Sequence, residues 1–238
     1  MVGELLWRNF FDMFTNASQI GGLTGSIGDP SGKASERPVL HEEALASNVL
    51  GLRRDLETFV DNSEAAIEAK GQLLPAEMRG SVENNAAHYS HMNIMEFFVE
   101  IGRHMRISSM LARDSVANRL RTDAKGMSLT EFAYQAFQAY DFAWLNKHYN
   151  AVLQVGGSDQ WGNICAGIEL VHKMNGNAVH GLTVPLLTTP SGEKFGKSAG
   201  NAIWLDASKT SHVSCDVLTC IPDYMTPLLH SSIFTSSS

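Results

Sequence analysis

Apolar residues recur at helical spacing from His41 to about Lys70, at Leu45, Val49, Leu52, Leu56 and Val60, and this pattern predicts a pair of amphipathic helices. Ser128-Leu129-Thr130-Glu131 has the form of a capping box, in which a Ser side chain and a Glu three residues on satisfy each other's orphan amides. A helix from about Thr130 to Tyr149 is expected behind it. Ala151 to Val155 is a short apolar run broken by Gly156-Gly157, as a buried parallel strand ending in a turn would be, and Ile164 to Met174 returns to helical spacing. This alternation predicts an α/β domain with a parallel sheet covered by helices.

Other stretches resist a regular period. Gly21 to Lys33 carries five glycines and Pro30, which should exclude a regular helix and build tight turns, a loop made for close approach. Leu187 to Asn201 turns to small and polar residues and is expected to form a mobile surface loop. The segment from His212 to Ser238 has no sustained period and reads as an unfolded tail.

Composition narrows the classes without naming one. With 238 residues, 44% of them hydrophobic and 18% charged, the chain can bury a substantial core as one large domain or a domain with an insertion. No apolar run approaches the ~20 residues a membrane-spanning helix needs. The net charge of −7 argues against a surface devoted to phosphate backbones, so any nucleic-acid contact must be local. Arg103, His104, Arg106, Arg113, Arg119, Arg121 and Lys125 are interleaved with Asp114 and Asp123 and read as a solvated helix face. Cys165, Cys215 and Cys220 offer neither a paired disulfide framework nor a zinc spacing, which fits a reducing compartment. Met1 to Phe14 carries one basic residue against two acids, unlike an Arg-rich transit peptide, and no address is read from it.

Three groups of residues could carry chemistry. Tyr134, Gln138 and Asp141 lie at i, i+4 and i+7, which puts a hydroxyl, an amide and a carboxylate on one stripe of a helix, with Phe137, Tyr140 and Trp144 on a second stripe able to face the core. From spacing alone the polar stripe would face water. Gly156 to Gln160 follows a strand, where open α/β sheets bind ligands; Asp159 could accept from ribose hydroxyls or simply cap the next helix. Lys194-Phe195-Gly196-Lys197-Ser198 sets two ammonium groups on a Gly-rich loop that could close over a polyphosphate or merely be solvated.

Taken together, these blocks resemble a known family. Gly22-Leu23-Thr24-Gly25-Ser26-Ile27-Gly28-Asp29-Pro30-Ser31-Gly32-Lys33, with Ser35-Glu36-Arg37 after it, is similar to the loop that follows the second strand of bacterial and mitochondrial tyrosyl-tRNA synthetases. Tyr134-x-x-x-Gln138-Ala139-Tyr140-Asp141-Phe142, Gln154 to Asn163, and Lys194 to Ser198, which resembles the class I "KMSKS" signature, follow in the family's order. The likeness runs from about Gly21 to Ser211, leaving 1–20 and 212–238 divergent. Tryptophanyl-tRNA synthetase shares the class signatures, but Asp141 with Tyr134 favours a phenol over an indole.

The resemblance implies a Rossmann-like class I catalytic domain, incomplete at its N-terminus, with a helical insertion around residues 40 to 125 that contributes to a homodimer interface. It implies that Asp29, Tyr134 and Gln138 hold the ammonium group of L-tyrosine, that Asp141 accepts from the phenol and that Gln160 lies against the carboxylate. For ATP, with Mg2+, it implies Gly157 and Asp159 at the ribose and Lys33, Arg37, Lys194, Lys197 and Ser198 about the phosphates. No metal site or tightly bound cofactor is expected in the protein itself. The reaction implied is formation of tyrosyl-adenylate, in which the substrate carboxylate attacks the α-phosphorus, and transfer to tRNA(Tyr). Positioning and electrostatics would carry catalysis. A bacterial-type sequence of this kind places the protein in the mitochondrial matrix or in a bacterial cytoplasm.

Two departures from the family's pattern add an expectation. The family begins with a strand bearing a tyrosine that touches the phenol, followed by a His-x-Gly-His signature; Met1 to Leu6 has neither, and the spacing to Gly21 is short. Little tyrosine-activating activity is therefore expected of this chain, and a second reading is an inactive piece that associates with a full-length subunit.

Overall fold

The computed structural model describes residues 17–31, 40–71, 73–76, 79–122 and 126–186. The chain enters through a buried strand, β1 (Ala17–Ile20), and passes through a single helical turn, α1 (Thr24–Ile27), inside the segment expected to be free of helix. Four residues suffice for one turn because Gly28, at φ 84°, ends it immediately in a backbone state that glycine alone enters without strain. Next comes α2 (Glu42–Glu68). The expected pair of helices is thus one continuous helix of 27 residues. No proline interrupts the stretch, and Gly51 alone weakens a helix without breaking it.

The region expected to be a helical insertion also contains a strand, β2 (Ser81–Asn84), parallel to β1 with Ala17 opposite Ser81 and Ile20 opposite Asn84. It runs directly into α3 (Asn85–Tyr89), whose first turn is capped by the Asn84 side chain. A full capping box, Asn93 with Glu96, opens α4 (Ile94–Glu96), which continues through a π-helical turn at Phe97–Ile101 and a 3-10 turn at Gly102–His104. The short helices α5 (Ile107–Leu111) and α6 (Asp114–Thr122) complete this part.

The centre of the molecule is α7 (Leu129–Tyr149), packed along α8 (Trp161–Asn175). Ser128 caps α7 by accepting from the Glu131 amide at 3.2 Å, but the Glu131 carboxylate turns away from the cap to buried Arg119, 3.4 Å off. Arg119 is therefore part of the interior and not of a solvated cationic face; Arg103, Arg106 and Arg121 are exposed as expected. The helices approach closely at Gly167, where a Cβ would stand 3.1 Å from the Phe142 ring. Ala136, Ala139, Phe142, Ala143 and Leu145 of α7 and Ala166, Leu170 and Val171 of α8 form most of the core, with Tyr89, Phe97 and Ile101 against them.

Between these helices lies β3 (Leu153–Gly157), parallel to β4 (His180–Val184). The strand extends through Gly156-Gly157 where a turn was expected, because both glycines face close neighbours: a Cβ on Gly156 would stand 3.2 Å from Ile164, and one on Gly157 2.7 Å from Leu186. Both strand pairs are parallel and joined by helical connections, the arrangement of an α/β domain.

Candidate functional site

The polar stripe of α7 does not face water. Tyr134, Gln138 and Asp141 are all buried, while Phe137, Tyr140 and Trp144 are only half-buried, against α3 and the π-helical turn. A helix that buries its polar stripe must satisfy it from neighbouring elements. The loop after β1 and the helices α3 and α8 supply the partners.

Asp29, 1% exposed, sits just past Gly28. One carboxylate oxygen accepts from the Ser31 amide at 2.9 Å and the other from Gln160 Nε2 at 2.6 Å. Asn163 Nδ2 stands 3.4 Å from Asp29, 3.0 Å from Gln138 Oε1, 3.2 Å from Gln160 Oε1 and 3.2 Å from Ser31 Oγ. One amide nitrogen has two hydrogens for these four acceptors, so Asn163 joins α7, α8 and the Gly-rich loop without saturating any of them. The described partners of Asp29 are all neutral. A fully buried carboxylate held only by neutral donors favours a cation beside it.

One turn further along α7, Asp141 is also buried. Asn85 Nδ2 donates to one of its oxygens at 3.0 Å, and His88 Nε2 lies 2.9 Å from the other. Burial pushes the Asp141 carboxyl above its ordinary value, while the hydrogen bonds from His88 and Asn85 pull the other way. Asn85 Nδ2 also reaches Thr24 Oγ1 at 3.0 Å, and its Oδ1 accepts from the Leu23 amide at 2.8 Å, so the loop and α3 are tied at the same place. The Tyr89 hydroxyl donates to the Phe137 carbonyl at 2.8 Å; burial first, then the Asp141 charge, holds its proton well above the ordinary range.

Of the site residues expected from sequence, Asp29, Gln138 and Gln160 converge through Asn163, and Asp141 lies on the next turn of the same helix. Tyr134 is buried on that stripe. Gly157 and Asp159 lie where β3 passes through a 3-10 turn (Ser158–Gln160) into α8, which begins behind Gln160 without a side-chain cap. Asp159 is half-buried there. Lys33, Arg37, Lys194, Lys197 and Ser198 lie outside the described residues, as do the loop from Leu187 and the tail from His212. Among the described residues no group of three or more His, Cys, Asp or Glu could hold a metal, and no helix is long and apolar enough to cross a membrane.

Sequence reasoning missed Asn85, His88 and Asn163 as members of the site. Asn163 was within reach, three residues after Gln160 on a helix start. Asn85 and His88 also stand at i, i+3, but nothing local marks a five-residue helix, and only the β1–β2 pairing carries it to Asp141.

The family model for "tRNA synthetases class I (W and Y)" matches residues 1–216. The chain is 48% identical over 192 residues to a tyrosine–tRNA ligase of Anaeromyxobacter dehalogenans, covering 81% of this chain and 42% of that protein. It is 46% identical over 199 residues to a tyrosine–tRNA ligase of Neisseria meningitidis, covering 83% and 43%. A C-terminally truncated mitochondrial tyrosyl-tRNA synthetase of Aspergillus nidulans matches the structure with a TM-score of 0.75 at 30% identity, over 94% of this chain and 63% of that one. The chain belongs to the class I tRNA synthetases of the tryptophan and tyrosine type and has the fold of their catalytic domain. Within that family its similarity is to the tyrosine–tRNA ligases. It spans less than half the length of the curated relatives it matches.

Proposed function

We propose that the buried polar cluster along α7 binds L-tyrosine, with the ammonium group at Asp29, Gln138 and Tyr134, the phenol at Asp141 and the carboxylate near Gln160. The observation that carries this reading is the pair of buried carboxylates set against one helix: Asp29, linked to Gln138 of α7 through Asn163, and Asp141, one turn beyond Gln138 on α7 itself. Asp29, without a described cationic partner, suits an ammonium group; Asp141, held by the donors Asn85 and His88, suits a hydroxyl donor. ATP, with its Mg2+, belongs at the end of β3, where Gly157 lets the backbone come close to a sugar and Asp159 offers acceptors to its hydroxyls; Lys33, Arg37, Lys194, Lys197 and Ser198 would meet the phosphates. The reaction is activation of tyrosine to tyrosyl-adenylate and transfer to tRNA(Tyr), in a mitochondrial or bacterial setting.

Discrimination against phenylalanine follows from burial. A phenylalanine ring would desolvate Asp141 and leave it without a ligand donor, an effect for which this enzyme family is the standard example. The test is binding of L-tyrosine to the chain by calorimetry, in the native form and as Asp29→Asn. Loss of the cation site should weaken binding by at least about tenfold, the effect of a charged hydrogen bond. Equal affinities would remove Asp29 from the ammonium site.

A second reading concerns association. Ile94, Met95, Phe98 and Val99 are each more than half exposed on α4 and the turn after it. An apolar strip of this kind marks a protein interface, and it supports pairing with a second copy or a full-length subunit.

A further inference from the structure

His88 is buried and chemically competent, and no step proposed above uses it. Its side chain is 4% exposed, its ring stacks on Trp144 with centroids 4.4 Å apart and planes 20° from parallel, and it packs tilted against Tyr89 and in a T-shaped contact with Tyr140. Such a ring has no freedom to follow a moving carboxylate. It sets where that carboxylate can be.

We propose that His88 is a positioning residue for tyrosine selection: its Nε2–H, fixed by stacking on Trp144, holds the Asp141 carboxylate in the orientation that accepts the substrate hydroxyl. This rests on the reading of Asp141 as the phenol acceptor. Asn85 and His88 each occupy one carboxylate oxygen. A carboxylate oxygen has two acceptor directions, so two donors at fixed angles both pin the group and leave a direction open for a third. Their donation also opposes the effect of burial, which favours the protonated acid. A protonated Asp141 would offer the phenol a poorer acceptor, so the donors act in the direction that selection requires. The alternative is that His88 is core filling, its ring valued for the Trp144 stack alone.

Two substitutions separate donor from ring. His88→Phe keeps an aromatic ring against Trp144 and deletes the donor. His88→Gln keeps an amide donor at a similar reach and deletes the ring. Dissociation constants for L-tyrosine and L-phenylalanine would be measured by calorimetry on the full 238-residue chain and both variants, with thermal unfolding recorded alongside. The ratio of the two constants is the readout, since a general loss of folding or pocket shape weakens both ligands together. His88→Phe should lower the preference for tyrosine about ten- to a hundredfold, as loss of a hydrogen bond to a charged group does, leaving phenylalanine binding nearly unchanged. His88→Gln should restore most of the preference. A His88→Phe ratio equal to that of the native chain, or a His88→Gln ratio as low as that of His88→Phe, would overturn the positioning role while the tyrosine reading stands. A native chain that binds both ligands equally would overturn the tyrosine reading and this inference with it.

Discussion

On the proposed reading of Asp141 as the phenol acceptor, a single side chain would tie stability to selection. Its carboxyl is raised above an ordinary value of about 3.8, chiefly by burial. The native state therefore holds this proton more tightly than the unfolded chain does. Its contribution to stability is fully present below the unfolded value and is lost as pH rises through the folded value. Asparagine at this position does not titrate. The stability of Asp141→Asn relative to the native chain should therefore improve between pH 3 and pH 7, while tyrosine preference disappears. Urea unfolding midpoints at the two pH values check the first half; a difference independent of pH would show that Asp141 is not forced to ionise against burial. Tyr149 shows the same physics in a residue without a proposed role. Burial, then its hydrogen bond to Glu83 and the Glu83 charge, push its phenol up to about 12.

At the scale of elements, the glycines divide into those that make the site and those that do not. A Cβ on Gly22 would stand 2.1 Å from Asn84 Oδ1, the atom that accepts from the Ala86 amide and caps α3. Gly22→Ala should displace that cap at a cost of about 0.5–2 kcal/mol. Because α3 carries Asn85 and His88, it should also weaken tyrosine preference. A Cβ on Gly51, inside α2, would meet nothing within 4 Å, and Gly51→Ala should stabilise by about 0.5–1 kcal/mol. Denaturant unfolding of the two variants gives opposite signs; a neutral Gly22→Ala would mean that the loop yields without moving α3. The contrast also explains what was legible in sequence. The run of glycines announced a close approach, and it is real, but the partner is a residue 62 positions away that only the β1–β2 register brings near. The central helix was legible because its period is long and its cap local. Its buried polar stripe was not, since periodicity reports that two faces differ and not which one meets protein. Splitting α2 in two failed for a related reason: its pattern of apolar positions continues without a signal for where a helix must stop.

For the whole molecule, association and catalysis are separable questions. The strip formed by Ile94, Met95, Phe98 and Val99 contributes no residue to the polar cluster along α7. Phe98→Glu should shift sedimentation of a self-associating chain toward the monomer while leaving tyrosine affinity within about twofold, as surface changes far from a site usually do. A dimer unaffected by the charge would place the interface elsewhere.

On the proposed function, catalysis would depend on groups beyond the polar cluster along α7. No His-x-Gly-His occurs anywhere in the 238 residues, although the resemblance associates that pair with charge developing on the α-phosphate. Preorganised donors of this kind act on the transition state and not on the bound amino acid, and removing one costs roughly 10²–10³ in rate. Binding and turnover should therefore part company. The chain is expected to bind tyrosine in preference to phenylalanine, yet to exchange pyrophosphate into ATP at least about 10²-fold more slowly than the Neisseria meningitidis ligase assayed beside it. Measuring both on one preparation makes the result decisive. Tyrosine binding with a comparable exchange rate would show that other groups of this chain stabilise the leaving pyrophosphate, and would direct attention to Lys33, Arg37, Lys194 and Lys197. Tyrosine binding with slow exchange would locate the deficit in the phosphate half of the site, leaving the cluster of Asp29, Asn163, Gln138 and Asp141 as a selective but chemically incomplete site.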